Sequence, residues 1–250
     1  MLRSNRLVTL EVEVEHPEMS EGQLTAVRKE LRQLFPGIIT VHDYSLANGG
    51  IELIGKVTEP WKEVIDFLVS RRFRTSSRTG LHIHVDVRSQ ITGLDGLRRL
   101  IAGIWDVQLS AKPLWKRMIA PYRKPYPMTM LKKLYGSPDL FTFSQTLFNE
   151  ANGYEMVKTE EDLVRNLNYK QFEHAYWIDI TPILRFLWEM PRTKMDTGII
   201  GGYGSVEFRG SMPAFSNKEG AIVERDLTTL GFFDWLRDLL ILTASVLSET

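Results

Sequence analysis

Cysteine is missing from this 250-residue sequence. Its absence excludes disulfides, thiolate metal sites and a cysteine nucleophile, and it suits a reducing compartment, so the cytoplasm is the expected location. An excess of one charge is also missing: Lys plus Arg and Asp plus Glu number 31 each. No overall field therefore draws in nucleic acid or an anionic membrane, and any electrostatic argument must be local. No stretch reaches the ~20 apolar residues of a membrane span. The nearest, Leu227 to Leu247, is interrupted by Asp234, Arg237 and Asp238 and reads as a core helix. The start of the chain runs into Glu11 without an apolar block, so no secretory signal is expected. There is no Gly-Lys-Ser or Gly-Lys-Thr loop, no Gly-x-Gly-x-x-Gly spacing, no serine nucleophile elbow and no His-Glu-x-x-His zinc motif.

What is present is an interleaved pattern of strands and helices with no internal repeat, for which one domain spanning 1–250 is the simplest division. Leu7 to Val14 reads as a strand. Ser20 then caps a helix to about Phe35, stopped by Pro36-Gly37. Strands follow near Ile38 to His42 and over Ile51 to Val57, separated by a turn from Ser45 to Gly50. Thr58-Glu59-Pro60 opens a helix whose apolar residues Trp61, Val64, Ile65, Leu68 and Val69 mark one buried face. Gly93 to about Met118 reads as mostly helical, and Pro121 to Pro127 as an aromatic, basic connector. Helices around Ser144 to Asn149 and Glu160 to Leu167 lead to a strand over Ala175 to Ile180. A glycine-containing loop, with Gly198, Gly201, Gly202 and Gly204, precedes a strand over Ser205 to Gly210, and a long helix closes the chain from about Lys218.

Two of these strands concentrate chemistry. In Gly80-Leu81-His82-Ile83-His84-Val85-Asp86 the alternation of a strand puts His82, His84 and Asp86 on one face, and in Ser205-Val206-Glu207-Phe208-Arg209-Gly210 it pairs Glu207 with Arg209. Leu10-Glu11-Val12-Glu13-Val14-Glu15 lines up carboxylates in the same manner, and Glu52 stands in an otherwise apolar strand, where an unpaired carboxylate is costly to bury. Each motif alone has a plainer reading: a solvated strand face, two imidazoles facing water, or a cross-strand ion pair. Together on one sheet they would set carboxylates, imidazole and guanidinium side by side, which suits Mg²⁺-bridged phosphates. The Arg71, Arg72, Arg74 and Arg78 group reads as a solvated helix end. The Arg117, Arg123 and Lys124 group with Tyr122 and Tyr126 reads as surface rather than nucleic-acid contact.

In order along the chain, Glu11-Val12-Glu13, Asp43-Tyr44-Ser45-Leu46 with Gly50-Ile51-Glu52-Leu53, Gly80 to Val85, and Val206-Glu207-Phe208-Arg209 resemble the amidoligase family. That family is similar to a compact branch of the carboxylate-amine ligases that include glutamine synthetase and glutamate-cysteine ligase. The resemblance implies an α+β fold, a curved and largely antiparallel sheet with the site on its concave face and helices outside. It implies ATP-dependent amide formation through an acyl phosphate, with ATP and Mg²⁺ or Mn²⁺ as cofactors and small-molecule or peptide carboxylates and amines as substrates. By motif, Glu11, His82 and Glu207 match one metal set and Glu13 with Glu52 another. Arg209 matches the arginine that stabilises phosphoryl transfer, Asp43 a metal or amine ligand, and His84 a residue supporting His82 or touching substrate. A register shifted by two would make Glu13 and Glu15 the first-strand pair. Where the family carries an Arg-Tyr pair, this chain has Lys170 to Asp179, so Lys170 or His174 takes the nucleotide-contacting place. Two other readings stay open: a metal-dependent phosphoesterase or nuclease on the same groups, and a non-catalytic binding descendant of the fold. Homo-oligomerisation is left open by the sequence.

Overall fold

The computed structural model describes residues 7–16, 18–41, 46, 50–76, 78–110, 124–169, 176–190, 203–211, 215–216, 222–223 and 225–249. In chain order its elements begin with Val8–Val14 (β1), Glu21–Leu34 (α1), Ile39–Val41 (β2), Ile51–Lys56 (β3), Trp61–Ser70 (α2), Arg74–Thr75 (β4) and Gly80–Asp86 (β5). A helical stretch follows: Leu94–Ser110 (α3), Met128–Tyr135 (α4), Leu140–Asn152 (α5) and Glu160–Tyr169 (α6). Then come Ile178–Asp179 (β6), Thr181–Leu187 (α7), Ser205–Ser211 (β7), Phe215–Ser216 (β8), Ile222–Val223 (β9), Arg225–Asp226 (β10) and Thr229–Val246 (α8). The fold is α+β, built on a six-stranded sheet of order β2-β3-β1-β5-β7-β6 in which every neighbouring pair is antiparallel.

Strand alternation gives this sheet two unlike faces. Leu10, Val12, Leu53, Leu81, Ile83, Val85, Val206 and Phe208 are fully buried on one of them and join a single continuous apolar cluster with the helices. Gly210 shares that face, and its missing side chain lets Leu239 of α8 come down onto the sheet. The other face carries Thr9, Glu11, Glu13, His82, His84, Glu207 and Arg209, and six of these seven are also buried, Glu11 being the partly exposed one. Two of its strands, β5 and β7, are far apart in sequence but paired along their full length, from Gly80 opposite Ser211 to Asp86 opposite Ser205.

Local chemistry explains the helix starts. Ser20 and Gln23 form a reciprocal capping box at α1, the Ser20 hydroxyl accepting from the Gln23 amide and the Gln23 side chain accepting from the Ser20 amide at 2.8 Å. At α2 the expected Thr58-Glu59-Pro60 opening gives Pro60 at the cap position without a side-chain hydrogen bond. The basic run before β5 is spread over surface ion pairs, Arg71 with Glu30 at 2.7 Å and Arg74 with Asp226 at 3.3 Å.

Two expectations need correction, and one helix stands where none was expected. The last helix does not run from Lys218: β-branched Ile222 and Val223 form a short strand, a second short strand follows, and the Thr228 hydroxyl caps α8 by accepting from the Gly231 amide. Helix α4 sits where a connector gives way to helix behind Pro127, with Met130, Leu131 and Leu134 buried. Helix α7 cuts short the strand expected over Ala175 to Ile180, because the Asp179 carboxylate accepts from the Thr181 amide and turns the chain immediately after β6. Among the described residues no helix is long and apolar enough to cross a membrane.

Helices α3 and α8 touch most closely at Gly103, where an added Cβ would run into the Val246 carbonyl oxygen. Helix propensity alone favours alanine there by about 1 kcal/mol, but overpacking at a backbone contact costs about 1–3 kcal/mol. Gly103→Ala is therefore expected to lower the denaturant midpoint of the protein. An unchanged or raised midpoint would show that this helix pair does not pack as described.

Candidate metal centre

The site is assembled by register. Glu11 of β1 lies opposite His82 of β5, which lies opposite Arg209 of β7. One row further, Thr9, His84, Glu207 and Asp179 stand side by side across β1, β5, β7 and β6. In the other direction Glu13 faces Glu52 on β3. Residues drawn from positions 9 to 209 thus meet because antiparallel pairing fixes who stands next to whom, and the two-residue period fixes the face.

Glu11 is at the centre. One of its carboxylate oxygens lies 2.7 Å from His82 Nδ1 and the other 3.2 Å from His84 Nε2. His82 Nδ1 also lies 3.4 Å from Glu207. Glu207 receives Arg209 as a fork, Nε at 2.7 Å and Nη2 at 2.9 Å, and the same Nη2 donates to Asp179 at 2.8 Å. A planar guanidinium bridging two carboxylates in this manner holds both oxygens of Glu207 in a fixed plane.

The electrostatics follow from burial and these contacts. Desolvation pushes the Glu11 carboxyl upward, but the charge of His82 and the hydrogen bonds from His82 and His84 outweigh it and hold Glu11 well below the usual carboxylate range. Burial would depress His82, yet Glu11 above all, with Glu13 and Glu207, raises it to about 9. His84 is raised against desolvation by its Glu11 hydrogen bond and the Glu207 charge. Glu207, desolvated but facing the Arg209 charge and the two imidazoles, falls to about 2. Arg209 is held protonated by Glu207 and Asp179 in spite of its burial.

The donor chemistry fits a divalent cation. One ligand atom each from Glu11, Glu13 and His82 lies within 4.8 Å of the others, and the same holds for Glu11, His84 and Glu207. Carboxylate oxygens with one imidazole per set suit Mn²⁺ at least as well as Mg²⁺. Gly80 leaves the space one set needs: a Cβ there would overlap His82 Nε2 and press on Glu13 Oε2. Among the described residues the buried Nδ1 of His84 has no hydrogen-bond partner, an orphan that a metal-bound imidazole normally places against a neighbouring group.

Against the sequence expectations, the structure brings together Glu11, Glu13, His82, His84, Glu207 and Arg209. It groups His84 with Glu11 and Glu207, and sets Glu52 beside Glu13 across the β1-β3 pair. Of the first-strand carboxylates the cluster holds Glu11 and Glu13, and the Glu15 backbone bridges to Arg74. Asp86, on the same face as the histidines, is held by Arg88 two residues along, Nε at 3.0 Å. Asp43, Lys170 and His174 lie outside the described residues, as do Gly198, Gly201 and Gly202. Sequence reasoning missed Asp179, whose place in the strand alternation next to Ile178 was the available signal, and Gly80, whose position two residues before His82 was another.

Without added metal, stability should vary with pH in a definite sense. The His82 contribution is fully present below about pH 6.5 and lost as pH rises through about 9, whereas that of Glu207 is present above about 4.5 and lost as pH falls through about 2. In chelator, the melting temperature should therefore fall from pH 6.5 to 9, and Mn²⁺ affinity should rise over the same interval as protons cease to compete for His82. A melting temperature that climbs across that interval in chelator would contradict the described Glu11–His82 contact. No protein-family model matches the sequence, and neither curated proteins nor solved structures give a match.

Proposed function

We propose that this chain is an ATP-dependent carboxylate-amine ligase of the amidoligase kind, with its catalytic face on the polar side of the six-stranded sheet. One observation carries the reading: Glu11, His82 and Glu207, contributed by three separate motifs of the resemblance, stand together on adjacent strands with Arg209 beside them. The fuller likeness, a curved glutamine synthetase-like sheet with this face concave, belongs to the same proposal.

In this reading Glu11, Glu13, His82, His84 and Glu207 hold divalent cations. What bound Mg²⁺ or Mn²⁺ supplies is positive charge between a substrate carboxylate and the triphosphate of ATP. A carboxylate oxygen of the acid attacks the γ-phosphorus; the new O–P bond forms as the bridging P–O bond breaks, and ADP leaves with the electron pair. The amine nitrogen then attacks the acyl carbon, the C–O bond to phosphate breaks, and inorganic phosphate departs while the nitrogen loses a proton. Arg209 would steady the phosphoryl oxygens, and its hydrogen bond to Asp179 would keep the guanidinium oriented if Glu207 served as a cation ligand. The low exposure of His82, His84, Glu207 and Arg209 supports a site in which water would be kept from an acyl phosphate.

Incubation with ATP, Mg²⁺ or Mn²⁺ and pools of amino acids, peptides and polyamines should release phosphate only when both an acid and an amine are present. Arg209→Lys should lower kcat by about 10²–10³-fold. Arg209→Ala should in addition destabilise the protein by about 3–5 kcal/mol, because it strands Glu207 and Asp179 without their cation. Release of phosphate from phosphoesters without ATP would replace the ligase by a phosphoesterase. Silence across the pools, with no ATP binding by calorimetry, would leave only a binding role.

A further inference from the structure

Beside the metal cluster lies a group of polar atoms that the cluster's own contacts leave unused. Ser205 of β7 is flanked on one side by Asp86 of β5. On its other side the chain turns into α7 after Asp179, but the Gly204 amide donates to the Pro182 carbonyl at 2.9 Å, which holds Thr181, the residue before Pro182, close to Ser205, the residue after Gly204. Ser205 shares the face of Glu207 by strand alternation. His84 is one diagonal step away, because its direct partner on β7 is Glu207. Among the described residues the Ser205 Oγ, Thr181 Oγ1 and His84 Nδ1 atoms are all buried without a hydrogen-bond partner, in residues only 1%, 5% and 6% exposed. Three unsatisfied polar atoms at neighbouring positions are unusual, since each such group costs free energy unless something fills it.

Their donor and acceptor character points to the missing partner. His84 turns Nε2 to the Glu11 carboxylate. With a cation at Glu11, His84 and Glu207, Nε2 is the ligating nitrogen and the proton of the neutral ring sits on Nδ1, which makes that atom a donor. The two hydroxyls can donate as well. The carboxylates nearby already have their cations: Glu207 and Asp179 share Arg209, and Asp86 is held by Arg88. An acceptor-only group with two or more oxygens would satisfy all three donors without meeting an unpaired negative wall.

We infer that Ser205, Thr181 and His84 Nδ1 form an oxyanion subsite beside the metal centre, which receives the carboxylate of the acid substrate. The identity of the anion as that acid rests on the ligase reading. The subsite itself is read without turnover. It would hold the reacting carboxylate beside the cation-binding groups, so the acid is selected by a short, two-oxygen head group.

The test uses acetate as the probe, with Mg²⁺ present and no ATP or amine, following the His84 imidazole by histidine-selective nuclear magnetic resonance. Acetate should give a saturable shift at His84 Nδ1, inorganic phosphate a weaker one or none, and methylammonium none. Ser205→Ala and the near-isosteric Thr181→Val should each raise the half-saturating acetate concentration about tenfold. Both should melt at the same or a higher temperature, since each removes an unsatisfied buried hydroxyl. The inference is overturned if acetate gives no saturable shift. It is equally overturned if phosphate binds more tightly than acetate, if methylammonium shifts His84 in its place, or if the variants bind acetate normally and melt lower, as expected of hydroxyls that hold only a structural water. Acetate binding without ATP turnover would remove the ligase reading and keep the subsite; turnover without acetate binding would do the reverse.

Discussion

Both oxygens of the Glu11 carboxylate are taken by imidazoles, and the arrangement of the polar face depends on that contact. A carboxylate and two imidazoles removed from water are each unfavourable alone, and burial pulls their titration in directions that would neutralise them. Mutual attraction reverses this for all three. The rest of the face repeats the solution with guanidinium: Arg209 grips Glu207 two residues away on β7, and Arg88 grips Asp86 two residues away from its own position at the end of β5. Charge is thus compensated both between strands, at Glu11 with the two histidines, and within them, at Arg209 with Glu207.

The opposite face makes this possible. Leu81, Ile83 and Val85 alternate with His82 and His84, so the residues that bury the sheet against its helices are interleaved with those that carry the chemistry. A slip of one residue in β5 would exchange the two sets, and the fully buried aliphatic side chains hold the register against it. Stability of the core and geometry of the site are therefore one constraint seen from two sides.

Much of this was legible in the sequence because the period of a strand is short and strict. Glu11-x-Glu13, His82-x-His84 and Glu207-x-Arg209 announce a shared face without knowledge of their neighbours. What they cannot announce is adjacency. That His84 stands beside Glu207, and that Glu11 bridges two histidines, depends on strand order and register, which are set by packing over more than a hundred residues. Helix α7 was hidden for a different reason: it follows β6 without a break, and the turn between them rests on one side-chain hydrogen bond, Asp179 to the Thr181 amide. The end of the chain misled because Ile222, Val223 and the flanking charged residues read equally well as the first turns of an amphipathic helix until Thr228 is recognised as its cap.

The placement of β7 has a bearing on how the molecule comes into being. This strand arises late in the chain yet slots between β5 and β6, supplying Glu207 and Arg209 to a row begun by Glu11. Such pairings close long loops and form slowly compared with local helix contacts. Until residues as far along as Ser211 have been made, Glu11 and His82 have no β7 to stand beside them. The row that joins Glu11, His82 and Arg209 is thus completed only by a pairing between segments remote in sequence.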